Sequence, residues 1–170
     1  YQYKSLLSDF WLGYSWKLLH GETDEERSTR LVTALRYVQV RYPTLKPDNE
    51  QVQDHFSRSD FYLASISLSS RKYLKEKYVF KFGEIEDVPV GNKITFTTGW
   101  ENRNDGPRSY FGVYGATGRY FNKFGYIYGG LGYSTFLQKS HLFKSEVSAE
   151  AIYFSPLAKI GSWWSRQFVS

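Results

Sequence analysis

The sequence alternates between apolar and polar residues with a period of two over several long stretches. Residues 141–154 (HLFKSEVSAEAIYF) show the pattern, with Phe143, Val147, Ala149, Ala151 and Tyr153 at odd positions and Lys144, Glu146, Ser148 and Glu150 at even ones. Successive side chains of a β-strand point to opposite faces, so this period predicts a strand. A globular strand averages about 5–6 residues, whereas one that crosses a membrane needs roughly 9–11. The stretch therefore predicts an unusually long strand with one apolar and one charged face.

The same alternation predicts further long strands along the chain. They lie at residues 9–19, 28–42, 60–73, 92–103, 108–121 and 125–138, with a partial strand at 161–170. A short Asn-Lys-Phe connection at 122–124 joins two of them into a predicted hairpin. Within 28–42 apolar side chains fall on both faces, which predicts either a bulge or a strand buried on both sides.

Two of the connections between these strands are long and polar, at residues 42–59 and 74–91. Consecutive connections of an up-and-down sheet lie at opposite ends, whereas an outer-membrane barrel has its long loops on one side only. If the chain is a barrel of that kind, we expect either a further short strand at residues 77–83 or one long connection on the periplasmic side.

The chain shows no segment of helical periodicity, so no helical layer is available to cover a sheet of long strands. Closure is then the remaining way to satisfy the sheet edges. Glycines interleaved with tyrosines between positions 112 and 133 also favour a curved, closed sheet. The predicted fold is all-β: an antiparallel up-and-down β-barrel of about eight long strands, or a segment of a larger membrane barrel. Residues 1–170 are taken as a single domain.

Alternation alone leaves two environments open, because it does not tell which face is buried. In a small soluble barrel the apolar face is the core, and such a barrel or sandwich could bind carbohydrate or lipid through Tyr and Trp. In an outer-membrane barrel the apolar face meets lipid and the polar face lines the interior. The chain is 19% aromatic, and its aromatic residues recur near strand ends, as interfacial girdles do. This distribution favours the membrane alternative.

The membrane alternative predicts which charged side chains face the lumen. They are Lys17, Arg71, Lys93, Glu101, Lys144, Glu146 and Glu150. Their mixed signs predict a salt-bridged interior and not a wide pore of one charge.

Candidate catalytic and metal-binding residues are sparse. The three histidines, His20, His55 and His141, lack metal-ligand spacing, and the chain has no cysteine. His55, Ser57 and Asp60 are the residue types of a hydrolase triad and leave a membrane-embedded hydrolase as a further alternative, although a polar loop explains them better. We expect no catalytic residue, no cofactor and no metal site.

Charge gives further limits on partners. The acidic runs at 21–26 and 83–87 lack the oxygen spacing of a calcium loop, and the Gly130-Leu131-Gly132 stretch lacks the rest of a dinucleotide fingerprint. The net charge of +5 is spread through the chain instead of clustered, so a nucleic-acid partner is not expected. A modest positive charge suits the phosphates of lipopolysaccharide.

Residues 73–91 followed by 93–100 (KITFTTGW) resemble the sequences of Gram-negative outer-membrane barrels in which a strand is followed by a polar loop and a second strand. Among these, the stretch looks most similar to the large barrels of the surface-antigen and polypeptide-transporter superfamily. The resemblance implies residence in the outer membrane and a transport, assembly or surface-interaction role without reaction chemistry. The implied partners are outer-membrane lipid, lipopolysaccharide and other envelope proteins.

Overall fold

The computed structural model describes residues 5–18, 28–42, 58–77, 84–139 and 141–170. The strands are β1 (Leu6–Lys17), β2 (Thr29–Arg41), β3 (Ser59–Lys77), β4 (Ile85–Arg103), β5 (Gly106–Phe121), β6 (Gly125–Gln138), β7 (His141–Phe154), β8 (Ala158–Ile160), β9 (Trp163–Ser165) and β10 (Phe168–Val169). Every pairing between them is antiparallel. The predicted all-β, antiparallel, up-and-down fold is confirmed.

The long strands form one sheet in which each strand pairs with its neighbour in sequence, from β1 to β7. Strand β10 adds to the far edge of β7 through two residues, Phe168 and Val169, and completes an eight-stranded sheet. Strands β8 and β9 form a separate two-stranded hairpin. In the part of the chain that the structure describes, β1 and β7 do not pair with each other, so the sheet has two open edges.

Strand β2 has no bulge. It pairs with β1 from Arg30 to Arg41 and with β3 from Thr29 to Val40 without a shift of register. Of the two alternatives predicted for 28–42, the bulge was wrong, and the structure is closer to the strand buried on both sides, since both faces are half-buried, as at Leu31 and Val32.

The predicted loop at residues 74–91 was also wrong, because most of it is strand. β3 and β4 stay paired beyond Arg71 as far as Lys77, with Lys75 opposite Asp87. This extension of β4 pairs with β3 alone, since β5 begins its pairing at Gly91, and an edge segment tolerates Pro89. Residues 78–83, and with them most of the further short strand expected at 77–83, lie outside the described residues.

The sheet curls toward one face, here called the polar face, which carries Glu101 and the residues in register with it. Phe61 of β3 and Phe136 of β6 lie on this face, and their ring centroids are 5.7 Å apart. In a flat sheet these two strands would be about 14 Å apart. The polar face is therefore concave, and the opposite face, here called the apolar face, is the outer one.

The most buried apolar cluster lies at the end of the polar face near the β5–β6 turn. Val88, Tyr126 and Phe154 are 3%, 3% and 1% exposed. The Tyr126 hydroxyl donates a hydrogen bond of 2.6 Å to the carbonyl oxygen of Pro89. The cluster thereby holds the β3–β4 extension against β6 and β7.

Candidate functional site

The exposure of alternate side chains is opposite to that of a water-soluble protein. In β4, Ile94, Phe96 and Trp100 are 41%, 52% and 54% exposed, whereas Glu101 on the other face is 9% exposed. The alternation continues through β5 and β6. On β4 to β6 most apolar side chains thus lie on the open outer face and most charged ones on the enclosed concave face, whereas β1 and most of β7 are exposed on both faces.

A row of aromatic rings crosses four neighbouring strands on the apolar face. Phe10, Tyr37, Tyr62 and Trp100 are directly opposite one another in the register of β1 to β4. Their successive ring centroids are 6.5, 4.9 and 5.1 Å apart. The Tyr37 hydroxyl donates to Asp60, 2.8 Å away, just beyond the row. Aromatic rings with a polar end are the side chains that line the boundary between hydrocarbon and water in membrane proteins.

The register places all seven predicted lumen-facing residues on the polar face. They are Lys17, Arg71, Lys93, Glu101, Lys144, Glu146 and Glu150. One transverse row of directly opposed residues carries three of them, and runs Lys17, Arg30, Ser69, Lys93, Ala116, Gly130, Glu150. The sequence pattern thus brought these residues to one surface.

Glu101 is the centre of a charged cluster at the β4–β5 turn. Its carboxylate accepts a hydrogen bond of 2.5 Å from Ser59 and lies 3.9 and 4.0 Å from the guanidinium nitrogens of Arg103 and Arg108. Arg108 also forms an ion pair with Asp105 and is 7% exposed. Sequence reasoning missed Arg108, although its position directly opposite Glu101 follows once the β4–β5 turn is placed.

Arg108 also corrects the predicted orientation of Phe143. The guanidinium carbon of Arg108 lies 3.8 Å from the centroid of the Phe143 ring, so this ring packs against a residue of the polar face. Phe143 was grouped with the apolar side chains of β7, and that placement was wrong. The cause is a shift of register opposite Phe136 and Leu137, which interrupts the alternation at that point.

Glu150 is held by two tyrosines in place of a cation. Its carboxylate accepts hydrogen bonds from Tyr114 and, at 3.1 Å, from Tyr128, and the two hydroxyl oxygens are 2.8 Å apart. The Lys93 ammonium lies 5.8 Å from the centroid of the Tyr114 ring. Neither tyrosine was predicted as a site residue, although the interleaving of Tyr with Gly marked this region. Gly130 leaves the space between them that a side chain would fill.

Of the seven predicted lumen-facing residues, Glu101 alone has ion-pair partners within the described ranges. Lys17, Arg71, Lys144 and Glu146 form no ion pair within residues 5–18, 28–42, 58–77, 84–139 and 141–170. A second ion pair on the polar face joins Arg36 to Asp9, so within the described ranges the unpaired charge of this face includes Lys17, Arg71, Lys144 and Glu146.

The hydrolase alternative gains no support from the described residues. His55 and Ser57 lie outside them. Asp60 accepts hydrogen bonds from Tyr37, Gln39 and Arg58, and none of these is a nucleophile–base pair. Among the described residues there is no group of three or more His, Asp or Glu that could hold a metal ion.

No described helix is long and apolar enough to cross a membrane. No protein-family model, no curated protein and no solved structure matches the chain.

Proposed function

We propose that this chain is an outer-membrane β-barrel protein, or a contiguous part of one. Its apolar face contacts lipid, and its polar face lines the interior. Its role is transport, assembly or surface interaction, and it carries out no reaction chemistry of its own. The observation that carries this proposal is the exposure of large apolar side chains along the whole outer face of the sheet.

The extent of this face argues against water as its surroundings. Leu12, Leu35, Phe96, Phe111 and Leu131, on β1, β2, β4, β5 and β6, are between 48% and 74% exposed. Soluble monomers rarely expose apolar patches larger than a few hundred Å². Full burial of each such side chain is worth about 1.5–3 kcal/mol, so a continuous face of them favours transfer into hydrocarbon.

The aromatic row supports the same proposal, because it crosses the sheet where an interface with headgroups would lie. Tyr62 and Trp100 are exposed on the apolar face, and Tyr37 reaches a carboxylate beyond it. Amphipathic rings of this kind favour the headgroup level of a bilayer.

The polar face supports a narrow or occluded interior more than a wide channel. The rings of Phe61, Tyr110 and Phe136 meet across it, and Arg108 is buried against Phe143. These contacts fill part of the concave side with side chains. Passage of small solutes, or an assembly or surface role, fits this interior better than diffusion of large ones.

The second candidate is a soluble protein that binds lipid or carbohydrate on the apolar face. One observation favours it: an open depression of about 730 Å³ on that face, lined among others by Leu12, Ile66, Phe96 and Tyr133. A depression of this size would take a single acyl chain or a sugar ring. It leaves most of the apolar face uncovered, which is why the membrane proposal ranks first.

Neighbouring spin labels on β7 separate the two candidates. Val147, on the apolar face, is 76% exposed, and Glu146 lies next to it on the polar face. Each residue is replaced by a spin-labelled cysteine in the full chain, reconstituted in liposomes. We expect high accessibility to oxygen at position 147, and accessibility to a polar nickel reagent at 146. A chain that stays monodisperse without detergent, fails to associate with liposomes and shows position 147 open to the polar reagent would refute the membrane proposal.

A further inference from the structure

We propose that the polar face carries a binding site for a soluble phosphate-bearing anion, formed by Arg30, Arg71 and Lys93. These three cations line one cavity of about 630 Å³ over strands β2, β3 and β4. The rest of its lining is mostly hydroxyl side chains, among them Ser65 and Ser69. No carboxylate is among its described lining residues.

The register brings the three cations close together. Arg30 is directly opposite Ser69, and Ser69 is directly opposite Lys93. Opposed residues of antiparallel strands are about 4.5–5.5 Å apart, so the Cα atoms of Arg30 and Lys93 are about 10 Å apart. Arg71 lies two residues along β3 from Ser69, which is roughly 7 Å on the same face. Three long cationic side chains around one serine can converge on a single tetrahedral anion.

The three cations are not paired with carboxylates in the part of the chain that the structure describes. A fourth cation, Lys17 of β1, lies directly opposite Arg30. Like charges directly opposite each other destabilise a sheet. The Lys17–Arg30 pair therefore opposes folding locally, and an anion bound at Arg30 would reduce that cost.

The chemistry of the lining selects the class of anion. Arginine binds phosphate through paired N–H donors, lysine adds a point charge, and hydroxyls donate to the remaining oxygens. Two hydroxyls are already engaged, since Ser67 donates to the carbonyl of Ile94 at 3.1 Å and shares a hydrogen bond of 2.8 Å with Thr95. Ser65 and Ser69 lie on the same cavity wall.

The position of the cavity favours a soluble phosphate over a lipid headgroup. It lies on the concave polar face, and acyl chains attached to its ligand would have to occupy that polar surface. The site goes beyond the membrane proposal and does not depend on it, because these residues share one face in either environment.

Titration of inorganic pyrophosphate into the full chain in detergent micelles at low salt, followed by calorimetry, tests the site. Arg71→Gln and Lys93→Gln are each expected to weaken binding about tenfold or more, since each removes a charged hydrogen-bond donor. Lys144→Gln removes a cation of the same face on β7, outside the cavity, and is expected to leave binding unchanged.

Two further measurements separate loss of anion binding from loss of fold and from binding of a lipid headgroup. Arg30→Gln relieves the repulsion from Lys17, so it is expected to lose pyrophosphate affinity while unfolding at the same or a higher urea concentration, which excludes loss of fold as the cause. Absence of pyrophosphate binding, or an equal loss in Lys144→Gln, overturns the proposal. Binding of short-chain phosphatidic acid that pyrophosphate does not displace overturns it in favour of a lipid site. The spin-label result is independent of all these outcomes.

Discussion

The hydroxyl of Tyr114 on β5 donates a hydrogen bond to the carboxylate of Glu150 on β7, across the intervening strand β6. Gly130 of β6 makes this contact possible. A Cβ atom at that position would lie 2.6 Å from the Glu150 carboxylate oxygen and 2.8 Å from the Tyr114 hydroxyl oxygen. Because residue 130 of β6 has no side chain, Tyr114 and Glu150 can form their hydrogen bond across that strand on the polar face.

Gly130→Ala is therefore expected to displace Glu150 and break this bond. The loss of a hydrogen bond to a charged group costs about 1.5–3 kcal/mol. The free energy of unfolding, from urea titration in lipid or detergent, checks the value. Gly129→Ala is the matched control, since the nearest atom to its Cβ is 4.0 Å away. It is expected to be neutral or stabilising by up to about 1 kcal/mol; equal losses in the two variants would contradict the role given to Gly130.

A charge on the apolar face should cost more than the same charge on the polar face. Phe96→Arg places a guanidinium where we propose hydrocarbon, at an expected cost of about 2–4 kcal/mol near the bilayer midplane. Thr97→Arg, one residue along β4, points to the concave side and is expected to cost much less. Folding into vesicles, followed by urea titration, measures both. A larger loss for the Thr97 variant would reverse the assignment of the faces.

The buried guanidinium of Arg108 should matter more than an exposed one. Arg108→Ala leaves Glu101 and Asp105 without that partner, and removing one member of a buried ion pair costs about 3–5 kcal/mol. We expect the low end of that range, because Arg103 remains near Glu101. Arg36→Ala breaks an ion pair with Asp9 in which the arginine side chain is 52% exposed, so its cost should be about 0–1 kcal/mol. Similar losses of unfolding free energy in the two variants would show that the Glu101 cluster stabilises the fold no more than an exposed ion pair does.

Two tryptophans report on opposite faces and allow a test by fluorescence. Trp100 belongs to the aromatic row on the apolar face, and Trp11, directly opposite Arg36, lies on the polar face. In single-tryptophan variants reconstituted in vesicles, brominated lipids should quench Trp100, and aqueous iodide should quench Trp11. Quenching of Trp100 by iodide alone would place the aromatic row in water.

The period of two was enough to predict the long strands, the two faces and the common surface of the seven charged residues. It works because the side-chain direction is fixed by position along a strand. It fails where the backbone departs from that rule, as at the register shift that turns Phe143 toward Arg108.

The other misses arose from contacts that are distant in sequence. The charged sequence around Lys75 and Asp87 is locally typical of a loop. In the structure, however, the two residues lie opposite each other in a paired extension of β3 and β4. Tyr114 and Tyr128 became site residues only when folding placed them beside Glu150. Composition could not reveal that partnership, because it depends on which strands are neighbours and on the space at Gly130.

The open edges of the sheet bear on how such a protein would reach its place. The outer edges of β1 and of most of β7 present backbone N–H and C=O groups that no described strand satisfies. In hydrocarbon each unsatisfied group costs several kcal/mol, so a sheet with these edges bare could not enter a bilayer and be completed afterwards. On the membrane proposal, both edges must therefore be paired, with each other or with other strands, while the sheet is still in contact with water or with an assembly factor. Pairing of the edges and insertion into the bilayer would then occur together. The rate of insertion would be set by the edge that is paired more slowly.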